Sequence, residues 1–331
     1  MKKVVGRGFS SAAFVVALML LTPLAAMAQN AHLAVIVGLA GEPEHAELFQ
    51  RWASTLVDGA GKLGVEKPIY LAEKPDVDPK RINGRSSKEE VVKAFDALKA
   101  AGEDDVVFIV LIGHGTFDGK VAKFNLPGPD MTPADFEPLL KGLKSRHIAF
   151  VNTASASGPF AQALAGPGRI VVTATRSGSE RFATLFGEYF ADARAGIDAD
   201  VDRNRRVSVL EAFTYAQREV ATAYEREGIM LTEHALLNDS GGEGISNPTP
   251  DGKQGKVAAV LSLGSATAAD PLPADPKVRA LYLERRDLER RVEALKLLKG
   301  SMPADRYASE LEKLVTDLAL KTRQMRELEK K

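Results

Sequence analysis

Between residues 32 and 175 the chain alternates short apolar runs with stretches of helical spacing. The runs at 32–39 (HLAVIVGL), 68–72 (PIYLA), 106–112 (VVFIVLI), 147–151 (HIAFV) and 169–175 (RIVVTAT) predict β-strands. Between them, Ala46, Phe49, Trp52, Leu56 and Leu63 share one face of a helix over 42–63. Val91, Val92, Phe95 and Leu98 mark a second helix, opened by the capping signal Ser86-Ser87-Lys88-Glu89-Glu90. Thr132-Pro133 starts a third, to about Leu143. Leu185, Phe186 and Phe190 place a further helix over 182–193. Gly and Pro residues over 116–131, with Asp118-Gly119, predict a hairpin or loop. Strands alternating with helices give a doubly wound, mostly parallel α/β sandwich, closed near Ile245. The run at 257–263 is read as a late edge strand.

The run at 106–112 organises the rest. It shows no polar alternation, so the strand is expected to be central and covered on both faces. It ends on Gly113-His114-Gly115, at the edge where parallel sheets bind ligands. The glycines allow a sharp turn, and the Gly115 amide is expected to be free to donate to a bound group. The strand at 147–151 runs into Asn152-Thr153-Ala154-Ser155-Ala156-Ser157-Gly158, whose small residues make a tight strand-to-helix turn. A right-handed crossover makes the two strands neighbours, placing His114 and Ser155 on one carboxyl edge. An imidazole and a hydroxyl could meet there, with the amides of Gly115 and Ser155 as oxyanion donors. The plainer reading is a loop histidine satisfied by its surroundings beside a tolerated small residue.

The period changes after 265–276, a linker of small residues and proline. Val278, Leu281, Leu288, Val292 and Leu295, then Tyr307, Leu311, Leu314, Leu318, Met325 and Leu328, fall at heptad spacing on either side of a break at 300–303. Residues 277–331 are therefore expected to form an antiparallel helical hairpin, a coiled coil whose seam Arg285 and Lys321 interrupt. Acids and bases mix along these helices, favouring helix-on-helix packing over a membrane surface. The hairpin could close on itself, self-associate or receive a partner.

At the other end, Lys2, Lys3 and Arg7 precede an apolar segment over 12–24, then Ala26-Met27-Ala28 before Gln29. This has the form of an export signal over 1–28 with its cleavage site. The apolar core is shorter than the roughly 20 residues of a membrane span, so a periplasmic or secreted protein with no span after cleavage is expected. Lys+Arg and Asp+Glu number 44 each, which gives no electrostatic reason to expect nucleic acid. No cysteine occurs, which excludes disulfides, thiolate metal sites and a cysteine nucleophile.

A second motif lies in residues 200–211. Asp200, Asp202 and Asn204 take the first, third and fifth positions of a calcium loop of the EF-hand type, and Arg206 offers its carbonyl at the seventh. Ser208 stands at the ninth and Glu211 at the twelfth, with Val207 at the usual apolar eighth. A helix follows through Ala212, Tyr215, Val220 and Tyr224. Arg205 stands where glycine normally turns the loop, so Ca²⁺ binding is expected to be weak. The other reading is an acidic turn that caps the helix.

The order of an apolar strand, Gly-His-Gly, a helix, a strand and a small-residue turn ending Ser-Gly resembles the caspase-like fold of cysteine peptidases, in particular the legumain branch. The resemblance covers about residues 31–244, within an expected domain of 29–264, and includes Ala174-Thr175-Arg176 and His234. It implies a three-layer α/β/α sandwich, a catalytic role at His114, the nucleophile position at Ser155 and a peptide or protein ligand. Serine stands where the family carries cysteine, so the resemblance implies either a serine-variant peptidase or an inactive descendant. Gly41-Glu42-Pro43-Glu44-His45 departs from the family pattern, so asparagine-directed specificity does not carry over. A reading of another class is a non-catalytic, calcium-stabilised binding or scaffold protein of the cell envelope.

Overall fold

The computed structural model describes residues 30–195, 198–202, 204, 206–263, 275–297 and 302–329. The expected export signal, Arg205 and most of the linker lie outside the described residues. The elements in chain order begin with β1 (Ala31–Val37), α1 (Pro43–Lys62), β2 (Ile69–Ala72), β3 (Gly84–Arg85), α2 (Lys88–Leu98) and β4 (Val106–Ile112). There follow β5 (Gly115–Phe117), β6 (Ala122–Phe124), α3 (Pro133–Lys141), β7 (His147–Asn152), α4 (Gly158–Ala163) and β8 (Arg169–Thr173). The rest are α5 (Phe186–Ala195), α6 (Val209–Glu227), β9 (Leu236–Asn238), α7 (Pro276–Leu297) and α8 (Ala304–Glu329).

The main sheet has the order β3-β2-β1-β4-β7-β8-β9, with every pairing parallel except the last. All residues of β4 are buried. Val106, Phe108, Val110 and Ile112 face one core layer with side chains of α1, α5 and α6. Val107, Ile109 and Leu111 face the other, with α2, α3 and Phe160 of α4. An apolar run without alternation is what such two-sided burial requires. Because β4 and β7 pair in parallel with Leu111 beside Asn152, the loops after them leave the sheet at one edge.

Local chemistry sets the element ends. Ser87 caps α2, its hydroxyl accepting from the Glu90 amide at 3.4 Å. Glu90 does not reach back to complete a box; its carboxylate pairs with Lys93 at 2.6 Å. At α3, Thr132 and Asp135 do form a reciprocal box. The glycine-rich stretch after β4 is a hairpin, β5 antiparallel to β6.

Two expectations need correction. No strand forms over 257–263, although Ala258, Leu261 and Leu263 are buried. The segment turns across the start of α6, its Leu261 and Ala258 carbonyls accepting from the Val209 and Leu210 amides at 2.8 and 2.9 Å. Those amides are the free donors of a helix terminus. The edge strand is β9 instead. The helix expected from 182 begins at Phe186, because residues 182–185 are drawn toward the β7 turn, with Thr184 Oγ1 donating to the Thr153 carbonyl.

In the C-terminal region, Leu288, Val292 and Leu295 of α7 cluster with Leu311, Leu314 and Leu318 of α8. Lys321, on the apolar seam by spacing, meets Glu284 of α7 at 2.5 Å. Among the described residues no helix is long and apolar enough to cross a membrane.

Candidate functional site at the carboxyl edge of the sheet

The turn after β7 is fixed by hydrogen bonds that its small residues allow. Thr153 donates to the Leu111 carbonyl from both its amide and its hydroxyl, each at 2.9 Å. Thr175 Oγ1 accepts from the Gly158 amide at 2.9 Å. A Cβ on Gly158 would lie 2.3 Å from the main chain of Arg176, so this close approach requires glycine. Ala156, buried within the turn, holds φ at 54°, a left-handed conformation that costs a residue with a side chain on the order of 1–2 kcal/mol. Strain of this kind persists where the surroundings over-determine it, and it concentrates at functional turns.

Ser155 is buried at the centre of this turn. Its hydroxyl accepts from the Gly115 amide and donates to the Gly115 carbonyl, both at 3.2 Å. The amide expected to be free for a ligand is thus taken by the hydroxyl at the nucleophile position. Gly115 itself sits so close that an added Cβ would lie 2.2 Å from the Ser155 carbonyl oxygen. The physical reason is size: only a residue without a side chain lets the two main chains approach near enough for both hydrogen bonds.

His114 is half-buried, and its Nε2 lies 3.0 Å from the Ala40 carbonyl. A carbonyl can only accept, so Nε2 carries the proton and Nδ1 the lone pair of the neutral ring. The ring meets His45 edge-on at 4.7 Å between centroids and Phe49 at 5.2 Å. Burial, reinforced by the charge of His45 and opposed by the Ala40 carbonyl, holds its pKa below the ordinary histidine value. The neutral form of His114 is therefore favoured, and main chain orients the ring. Among the described residues no hydrogen bond joins it to the Ser155 hydroxyl. The structure brings Ser155 to Gly115, and it does not bring the imidazole into hydrogen bonding with the hydroxyl.

Behind the turn is a polar cluster that motif reading found only in part. The Glu180 carbonyl accepts from the Ala156 amide at 2.7 Å. The Glu180 carboxylate holds His234 Nδ1 at 2.7 Å and Arg176 Nε at 3.0 Å. His234 was visible through the family resemblance, whereas Glu180 has no local signal because its partners are distant in sequence. Glu233 is buried, and its two oxygens accept from the Leu185 and Phe186 amides at 2.8 and 3.1 Å. Burial pushes its carboxyl up to about 7 despite those donors.

In the acidic loop, the carboxylates of Asp200, Asp202 and Glu211 converge within 4.8 Å of one another. Asn204 donates its amide to Asp200 and Asp202, each at 3.0 Å, and Arg206 donates its amide to Asn204 Oδ1 at 2.8 Å. Glu211 has two tasks. One oxygen accepts from the Val201 amide at 2.9 Å, and the other from the Ser208 amide and hydroxyl at 2.8 Å, so that Ser208 caps α6. Burial and the neighbouring negative charge of Glu211 raise the Asp202 pKa. Converging carboxylate oxygens of this kind could hold a hard divalent cation.

No protein-family model matches the chain, and no curated protein matches it.

Proposed function

We propose that the chain is an exported, disarmed relative of the caspase-like peptidases, whose cleft holds an extended peptide without cutting it. One observation carries this reading: both hydrogen bonds of the Ser155 hydroxyl go to the Gly115 main chain. A serine hydroxyl needs an imidazole bonded to it to become a nucleophile, and an acyl-transfer site needs a vacant amide for the oxyanion. The imidazole is not hydrogen-bonded to the hydroxyl, and of the two amides expected to bind an oxyanion that of Gly115 is taken. Support for the peptidase ancestry comes from Gly113-His114-Gly115 and the strained Ser155 turn, which leave adjacent parallel strands at one edge of the sheet.

The same proposal takes the 200–211 loop as a weak Ca²⁺ site using Asp200, Asp202, Asn204, the Arg206 carbonyl, Ser208 and Glu211. Bound calcium would neutralise the carboxylates and fix the loop to the start of α6. It takes α7 and α8 as an antiparallel hairpin serving assembly, supported by their shared leucine cluster. Export to the periplasm or beyond rests on the charged, apolar and small-residue sequence of 1–28.

The test is cleavage of a pooled peptide library by wild type, Ser155→Ala and Ser155→Cys. Inert wild type with activity in Ser155→Cys supports a disarmed peptidase cleft. Cleavage by wild type that Ser155→Ala abolishes would establish a serine enzyme and overturn the reading.

A further inference from the structure

A cavity of about 220 Å³ lies between α5, α6 and the segment leading into β9, away from the His114 ring. Its apolar wall is made by Ala174, Phe186, Val220, Leu231 and Ala235. Several polar groups on the wall are engaged within the protein. Gln217 Nε2 donates to the Ser246 carbonyl at 2.9 Å, Glu233 accepts from two amides, and His234 Nδ1 is held by Glu180. An apolar cavity of about 150 Å³ is large enough to take benzene. The exposed Ile229 and Met230 precede Leu231 of the wall in the chain.

We propose that this cavity binds a neutral, apolar group the size of one substituted aromatic ring, carried either by a free small molecule or by a peptide side chain. The volume suits one ring rather than a long acyl chain, and the apolar wall suits a ligand without charge. Charge is unwelcome, because a mostly apolar wall would strip a charged ligand of its water. The site is independent of the chemistry at Ser155, although Glu180 touches both: its carboxylate holds His234 of the wall and its carbonyl holds Ala156 of the turn.

The experiment is thermal melting of the full chain with toluene, benzylamine, N-acetyl-phenylalanine amide and N-acetyl-leucine amide. Toluene should raise the melting temperature saturably and benzylamine should not. Ala221 stands exposed on the cavity wall, so Ala221→Trp should cover the mouth without disturbing the core. Val220→Phe fills the cavity from within. Each variant should weaken toluene binding by at least about tenfold. Stabilisation by the acetylated amides assigns the group to a peptide, and stabilisation by toluene alone assigns it to a free molecule. No stabilisation by toluene or either amide, equal stabilisation in both variants, or benzylamine binding as tightly as toluene would overturn the proposal.

Discussion

At the scale of single residues, the site is defined by which small groups are missing. Gly115 has no Cβ to keep it from Ser155, and that contact closes one of the two amides that an acyl-transfer centre would leave open. Gly115→Ala forces main chain apart and should destabilise the fold by about 1–3 kcal/mol, the range for overpacking, measured by urea unfolding. The neutral form of His114 is favoured partly by its neighbour His45. Replacing His45 with Phe keeps the ring and the burial but removes the like charge, so His114 should titrate at higher pH in His45→Phe than in wild type. An NMR titration of the His114 ring reads this directly, and an unchanged midpoint would mean that burial alone sets it.

At the scale of elements, the buried acid at the start of α5 makes stability depend on pH. Glu233 has its folded pKa raised to about 7 by burial, against roughly 4.3 for an unfolded glutamate. The native state therefore binds more protons between these values, and stability falls as pH rises through that window and is level above it. Glu233→Gln removes the titration but sets its NH2 against one of the two amide donors, which costs stability at every pH. Its stability relative to wild type should therefore rise by about 1–3 kcal/mol between pH 4 and pH 8 in urea unfolding. A parallel pH dependence in the two proteins would contradict the burial account. In the acidic loop, millimolar Ca²⁺ should raise the melting temperature of wild type, with a smaller rise in Asp202→Asn, since affinities of about 10⁻⁴–10⁻³ M suit an extracellular module. Absence of both heat and stabilisation in calorimetry would leave only a helix-capping turn. The long elements were legible because β4 and the α1 face carry unmixed periodic signals. The edge strand β9 was not, since its three residues are too few to show a period. The run at 257–263 misled for the opposite reason. It is apolar because it packs on the start of α6, and hydrophobic burial does not require a strand.

At the scale of the whole molecule, a mostly parallel sheet delivers two loops to one edge, and the positions of His114 and Ser155 follow from strand order alone. What the side chains do there was not legible, because hydrogen-bond partners such as Gly115 and Ala40 depend on ångström-scale approach of main chain distant in sequence. The same holds for Glu180, which joins the Ser155 turn to the His234 cluster. The central claim is that Ser155 is engaged and unreactive while the peptidase-like edge is kept. Treating the purified full chain with a fluorescent fluorophosphonate probe for serine hydrolases tests it most directly. The account predicts no labelling of wild type above that of Ser155→Ala; labelling that requires both Ser155 and His114 would contradict it.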